Sequence, residues 1–165
     1  MIDLKTFLHG LPAFERFNDR QLDVLVSQLH VETHEPGTVL IRQGEQGSAL
    51  YIVVSGAIRV SQKSADVSEE NSVHEAHAGE MVGRMSLVPD LPSPVTCTAA
   101  GQITVASLTF DRYHALFILA PRVAHQFQYM VASQLAHYLM QKNQSLAKRH
   151  APPARRSLLE RLFGA

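Results

Sequence analysis

Seven of the nine glycines fall at Gly37, Gly44, Gly47, Gly56, Gly79, Gly83 and Gly101, cutting that stretch into short runs rich in Val, Ile, Leu, Thr and Tyr. Such spacing leaves little room for a helix of ordinary length, whereas a strand needs only about four to eight residues between turns. The segment is therefore expected to be a β domain of many short strands, clearest at 38–41, 50–54, 57–61 and 103–108. The polar, acidic stretch 62–79 is expected to be a solvated hairpin loop.

Outside this block the apolar period turns helical. Asn18 with Gln21 three positions on forms a capping box, followed by Leu22, Leu25, Val26 and Leu29 at helical spacing. After Phe110 a first helix is expected over 111–119, and a second opens at Pro121, a favoured first-turn position. Along the second, Val123, Phe127, Val131, Leu135 and Leu139 make an apolar stripe, joined by Met130 and Tyr138. Pro152 and Pro153 close the helical region, so the expected organisation is one domain over 1–150, with strands at about 31–110 and helices at about 111–149. Residues 151–165 then form a Pro-containing linker and short tail.

With 165 residues and 45% hydrophobic content, the chain can bury one core but not two. Fifteen basic and fifteen acidic residues cancel, so no general field steers it to nucleic acid or an anionic membrane. The start, Met1-Ile2-Asp3-Leu4-Lys5, lacks a basic region before an apolar one, and no apolar run of about 18 residues occurs. A soluble cytoplasmic protein without a transmembrane segment is expected. The single cysteine, Cys97, allows no internal disulfide and fits a reducing compartment.

The stretch Pro36-Gly-Thr-Val-Leu-Ile-Arg-Gln-Gly-Glu-Gln-Gly-Ser-Ala-Leu-Tyr-Ile-Val-Val-Ser-Gly56, followed by Ala57-Ile-Arg-Val-Ser61, resembles the opening β-roll of cyclic nucleotide-binding domains. The likeness extends over roughly residues 10–148, without the DNA-binding domain of catabolite activator and Fnr-like sensors. It implies a mainly β fold: an antiparallel jelly-roll-like barrel with an N-terminal helix and C-terminal hinge and dimer helices. A bacterial cytoplasmic setting follows from the same likeness. So does a homodimer paired through Phe127, Met130, Val131, Gln134, Leu135 and Tyr138 of the long helix.

The ligand implied is a cyclic nucleotide (cAMP or cGMP) or a cyclic dinucleotide, seated in a cassette of turn, short helix and next strand. Here the cassette residues are Met81, Val82, Gly83, Arg84, Met85 and Ser86, then Ser93, Pro94, Val95 and Thr96. The resemblance places Arg84 where the family holds a ribose with glutamate, and Ser93 where it grips the phosphate with arginine. Pro94 also lacks an N–H. Losing a charged hydrogen bond is expected to weaken cyclic nucleotide binding by about one to two decades. Arg84, beside the first amides of a short helix over 84–88, would favour an anion of another shape. Alternatively Arg84 faces solvent, and Met81, Met85 and Val95 fill a closed pocket.

His74, His77 and Glu80 suggest a cupin-like metal centre, but a three-residue offset in a strand sends His74 and His77 to opposite faces. No metal site and no nucleophile motif is expected, so no catalysis. Arg155, Arg156 and Arg161 make the tail basic, and Ser157 with Glu160 forms a second capping box. Leu158, Leu159, Leu162 and Phe163 would then present one apolar face for docking on the chain's own dimer, another protein or an anionic membrane. The twelve residues after Pro153 cannot build a specific DNA-binding domain. The sequence thus points to a non-enzymatic regulatory module acting through protein contacts. Its alternatives are a cyclic nucleotide receptor with repositioned contacts and a metal-dependent cupin-like enzyme.

Overall fold

The structure, a computed structural model, describes residues 2–63 and 70–149. Contacts divide the chain after Phe127 into two units. The first begins with helix α1 (Leu4–His9), whose N-cap Asp3 carboxylate accepts from the amides of Lys5 and Thr6. Helix α2 (Asp19–Gln28) starts at the expected capping box: Asn18 Oδ1 accepts from Gln21 N at 3.0 Å and Gln21 Oε1 from Asn18 N at 2.9 Å. Leu22 and Leu25 of α2 are fully buried.

Eight strands follow: β1 (His30–His34), β2 (Val39–Ile41), β3 (Ala49–Ser55), β4 (Ile58–Lys63), β5 (Glu70–Ala76), β6 (Met81–Val82), β7 (Thr96–Ala99) and β8 (Ile103–Thr109). They form two antiparallel four-stranded sheets, β1-β8-β3-β6 and β2-β7-β4-β5. Ala49, Tyr51 and Val53 of β3 join Ile41, Ile58, Val60, Cys97, Ile103 and Val105 in one apolar cluster between the sheets. Leu50 and Ile52, on the opposite face of β3, are fully buried as well. Burial on both faces explains why this strand reads as an unbroken apolar run rather than an alternating one.

The expected loop over 62–79 is corrected: β4 runs to Lys63 and β5 pairs with it from Glu70↔Lys63 to Ala76↔Ile58. Strand formation here comes from cross-strand pairing at a sheet edge, which overrides the polar composition of the segment. Helix α3 (Phe110–Leu119) follows β8 directly, with the Thr109 hydroxyl accepting from Arg112 N. Helix α4 (Pro121–Arg149) opens at the expected proline. Its first turns belong to this unit, with Val123, Ala124 and Phe127 buried and the Phe127 ring 6.2 Å from that of Tyr113. Gln21 Nε2 donates to Gln126 Oε1 at 2.9 Å, tying α2 to the start of α4.

The second unit begins at Gln128. Within it Met130 and Val131 are buried, Gln134 and Leu135 half-buried, and Tyr129, Tyr138, Leu139 and Met140 exposed. Phe127, expected on a partner-facing surface, is instead fully buried in its own chain, because Tyr113 and α3 already cover it. The tail residues Leu158, Leu159, Leu162 and Phe163 lie outside the described residues. Among the described residues no helix is long and apolar enough to cross a membrane.

Candidate functional site

The cassette begins where β6 pairs with β3, Val82 opposite Tyr51 and Met81 opposite Ile52. Val82 thus shares the inner face with Tyr51, whereas Met81 takes the outer one with Ile52, so Met81 does not fill the barrel interior. Gly83 turns the chain with φ 75°, and a Cβ there would stand 2.6 Å from the Ala49 carbonyl oxygen. Both the left-handed backbone and the close approach demand glycine. A short 3-10 helix, Arg84–Leu87, follows, somewhat shorter than the expected 84–88. Ser86 N donates to the Gly83 carbonyl at 2.9 Å, and Val88 N to that of Met85 at 3.0 Å.

Ser86 is buried against Gly47, where an added Cβ would come within 1.9 Å of Ser86 Oγ. The two positions lock the short helix onto the β2–β3 loop. Arg84 and Met85 are half-buried. The first N–H groups of such a turn have no partner inside the helix.

The chain returns through 88–95. Ser93 N donates to the Glu45 carbonyl and Gly44 N to that of Ser93, each at 2.8 Å, while Pro92 bridges to Gln46. The Ser93 side chain is buried: its hydroxyl donates to the Val95 carbonyl at 2.8 Å and accepts from Val95 N at 3.3 Å. A serine occupied with its neighbour's backbone offers an incoming anion little. Pro94 is exposed, Val95 packs on the inner apolar cluster beside Leu40, and Thr96 Oγ1 accepts from Gln43 N at 3.1 Å. The Gln43 amide in turn bridges the Lys63 backbone, donating to its carbonyl at 3.0 Å and accepting from its N–H at 2.8 Å. Cys97, the next residue of β7, is buried, and desolvation pushes its thiol up to about 11.

The structure therefore brings all ten cassette residues into one turn, helix and return, with Met81 facing away from the interior. His74 is exposed on β5, and the Glu80 carboxylate accepts from the His77 backbone N–H at 2.7 Å, closing a turn. Among the described residues no His, Cys, Asp or Glu cluster could hold a metal. Sequence reasoning missed a polar brace on β1. Glu32 accepts from the Ser107 hydroxyl of β8 and lies 3.1 Å from His34 Nε2, although that buried nitrogen is not aligned for a hydrogen bond. The i, i+2 spacing of Glu32 and His34 was the only signal for it. Burial raises the Tyr51 phenol on the same inner face, and the hydroxyl of Ser48 lies 2.9 Å from it.

The family model for the cyclic nucleotide-binding domain matches residues 31–118. A cAMP-dependent protein kinase regulatory subunit of Yarrowia lipolytica is 33% identical over 119 residues, 72% of this chain but 30% of that protein. The crystal structure of the Thermus thermophilus catabolite activator protein superposes with a TM-score of 0.70 at 27% identity, covering 82% of this chain and 61% of that one. A cyclic nucleotide-binding domain from Methylobacillus flagellatus gives a TM-score of 0.76 over 90% of this chain and 83% of that one; at 16% identity it speaks for the fold alone. The chain thus spans less than two thirds of both the kinase subunit and the activator.

Proposed function

This chain belongs to the cyclic nucleotide-binding domain family, and from that premise we propose that it is a regulatory module without catalytic activity, whose cassette keeps the family's frame but not its grip on a cyclic phosphate. The observation that carries the reading is Ser93. It stands in the place the resemblance gives to the phosphate arginine, buried, with its hydroxyl spent on the Val95 backbone and Pro94 beside it. The similarity to a kinase regulatory subunit and to a catabolite activator supports a regulatory rather than an enzymatic role.

Calorimetric titration with cAMP, cGMP and cyclic di-GMP tests it. The wild-type chain is expected to give no saturable heat below about 10 μM ligand, and a Ser93→Arg, Pro94→Ala variant to gain cAMP affinity by about one to two decades. Submicromolar binding by the wild type would overturn the proposal in favour of a receptor with repositioned contacts. Stoichiometric metal in the purified protein would move it toward a cupin-like enzyme.

The output in this reading is protein contact. Gln134, Leu135 and Tyr138 of α4 present the surface for a second copy, with Leu139 and Met140 exposed beside Tyr138. Sedimentation velocity is expected to show a dimer that Leu135→Lys with Tyr138→Lys converts to monomer. A wild-type monomer at every concentration reached would remove this part of the proposal.

A further inference from the structure

A cleft of about 490 Å³ runs along the cassette, taking Ser86 and Gly47 as part of its wall and otherwise Gln46, Pro89, Asp90, Pro92 and Phe110. Arg84, Ser93 and Val95 do not line it. Its polar groups lean to acceptors, with the Ser86 hydroxyl able to donate or accept. Pro89 and Pro92 have no N–H to offer. Gln46 Nε2 donates to the Val88 carbonyl at 3.2 Å, which leaves its Oε1 as the free end of the amide. Asp90 is exposed at the rim with φ 57°, the one non-glycine with positive φ among the described residues. No hydrogen bond or ion pair holds its carboxylate among those residues. A rim built of acceptors and a carboxylate selects a donor-rich cation, the opposite of what a phosphate cassette selects.

The remaining surface is apolar: two proline rings and the ring of Phe110, which lies 4.7 Å from that of His114. Glu45 and Asp111 adjoin the lining residues Gln46 and Phe110 in the chain, while the guanidinium of neighbouring Arg112 is directed to the Gln28 carbonyl at 3.4 Å. A planar guanidinium on an apolar stem meets both requirements, bonding a carboxylate and stacking on an aromatic face. The volume exceeds what one side chain fills and lies in the range of pockets that take larger ligands.

We propose that this cleft is a second recognition site, which takes an arginine and its apolar flanking residues from a peptide segment of a protein partner. The guanidinium pairs with Asp90 and Gln46 Oε1, and the stem and flanks lie on Pro89, Pro92 and Phe110. Such an occupant touches the return segment of the cassette and the first residue of α3 at once.

Fluorescence anisotropy of the full chain with a fluorescein-labelled Gly-Leu-Arg-Leu-Gly peptide tests it. Saturable binding is expected, weakened about tenfold by Asp90→Asn. Asparagine tolerates the left-handed backbone, so this variant keeps the turn and removes only the charge. Glu35→Gln, at an exposed acid outside the cleft, is expected to leave binding unchanged. The proposal is overturned by absence of saturable binding, by an unchanged affinity in Asp90→Asn, by a citrulline peptide binding as well as the arginine one, or by agmatine binding as tightly as the peptide. Circular dichroism of Asp90→Asn guards against reading a folding defect as lost binding.

Discussion

The outgoing half of the cassette, 81–87, and its returning half, 88–96, are held by different physics. The outgoing half is fixed by contact: Gly83 against the Ala49 carbonyl and Ser86 against Gly47 leave no space for another atom. The returning half is fixed by hydrogen bonds, from Ser93 to Glu45 and Gly44 and from Gln43 to Thr96. Contacts of the first kind tolerate almost no substitution, because an added Cβ would meet the Ala49 carbonyl oxygen and Ile41 Cδ1 at 2.6 Å from Gly83, and Ser86 Oγ at 1.9 Å from Gly47. The two bonds at Ser93 run from backbone to backbone and ignore side-chain identity, so serine and proline sit at 93 and 94 without disturbing the path, whereas the bond from Gln43 N needs the Thr96 hydroxyl. Shape and chemistry are thereby separable in this motif, and a cassette can keep its outline while its ligand groups change.

The difference between the two halves is greatest at Gly83. Valine there forces a β-branched residue into φ 75° and drives its Cβ toward an oxygen 2.6 Å away. Chemical denaturation is expected to show a loss of about 3 kcal/mol or more, the size reached when backbone strain and overpacking coincide. A loss below about 1 kcal/mol would mean that β3 and the turn can part without cost, and that the outgoing half is as yielding as the returning one.

The sequence made the frame more legible than the site. The capping box at Asn18 and Gln21, the glycine-punctuated strands and the helix opening at Pro121 are local signals, and all three appear where the pattern put them. Strand β5 was hidden because its pairing with β4, not its own composition, makes it a strand. Helix α1 has six residues and β6 two, too few for a period to show. In the cassette, Gly83 announced its turn, but nothing in the order of residues told that Ser93 would bury its hydroxyl or that Met81 would face outward. Those depend on register with β3 and on the loop around Glu45. The cleft at Asp90 joins residues from three separate stretches, and no spacing rule anticipates it.

A smaller effect sharpens the contrast from inside the barrel. Cys97 lies directly behind the returning half, 1% exposed, and burial alone moves its thiol from an ordinary 9.0 up to about 11. At pH 8 the thiolate is then about a hundredfold scarcer than in the unfolded chain, and iodoacetamide should label the native protein correspondingly slowly. The folded state holds the proton longer than the unfolded one, so stability is unaffected below about pH 9 and declines as pH rises from there toward 11. Cys97→Ala should flatten that window. If labelling in buffer were instead as fast as in denaturant, water would be reaching β7 through the returning half. Its stitching to 43–46 would then be a latch that opens, and the buried Ser93 hydroxyl would become available to a ligand after all.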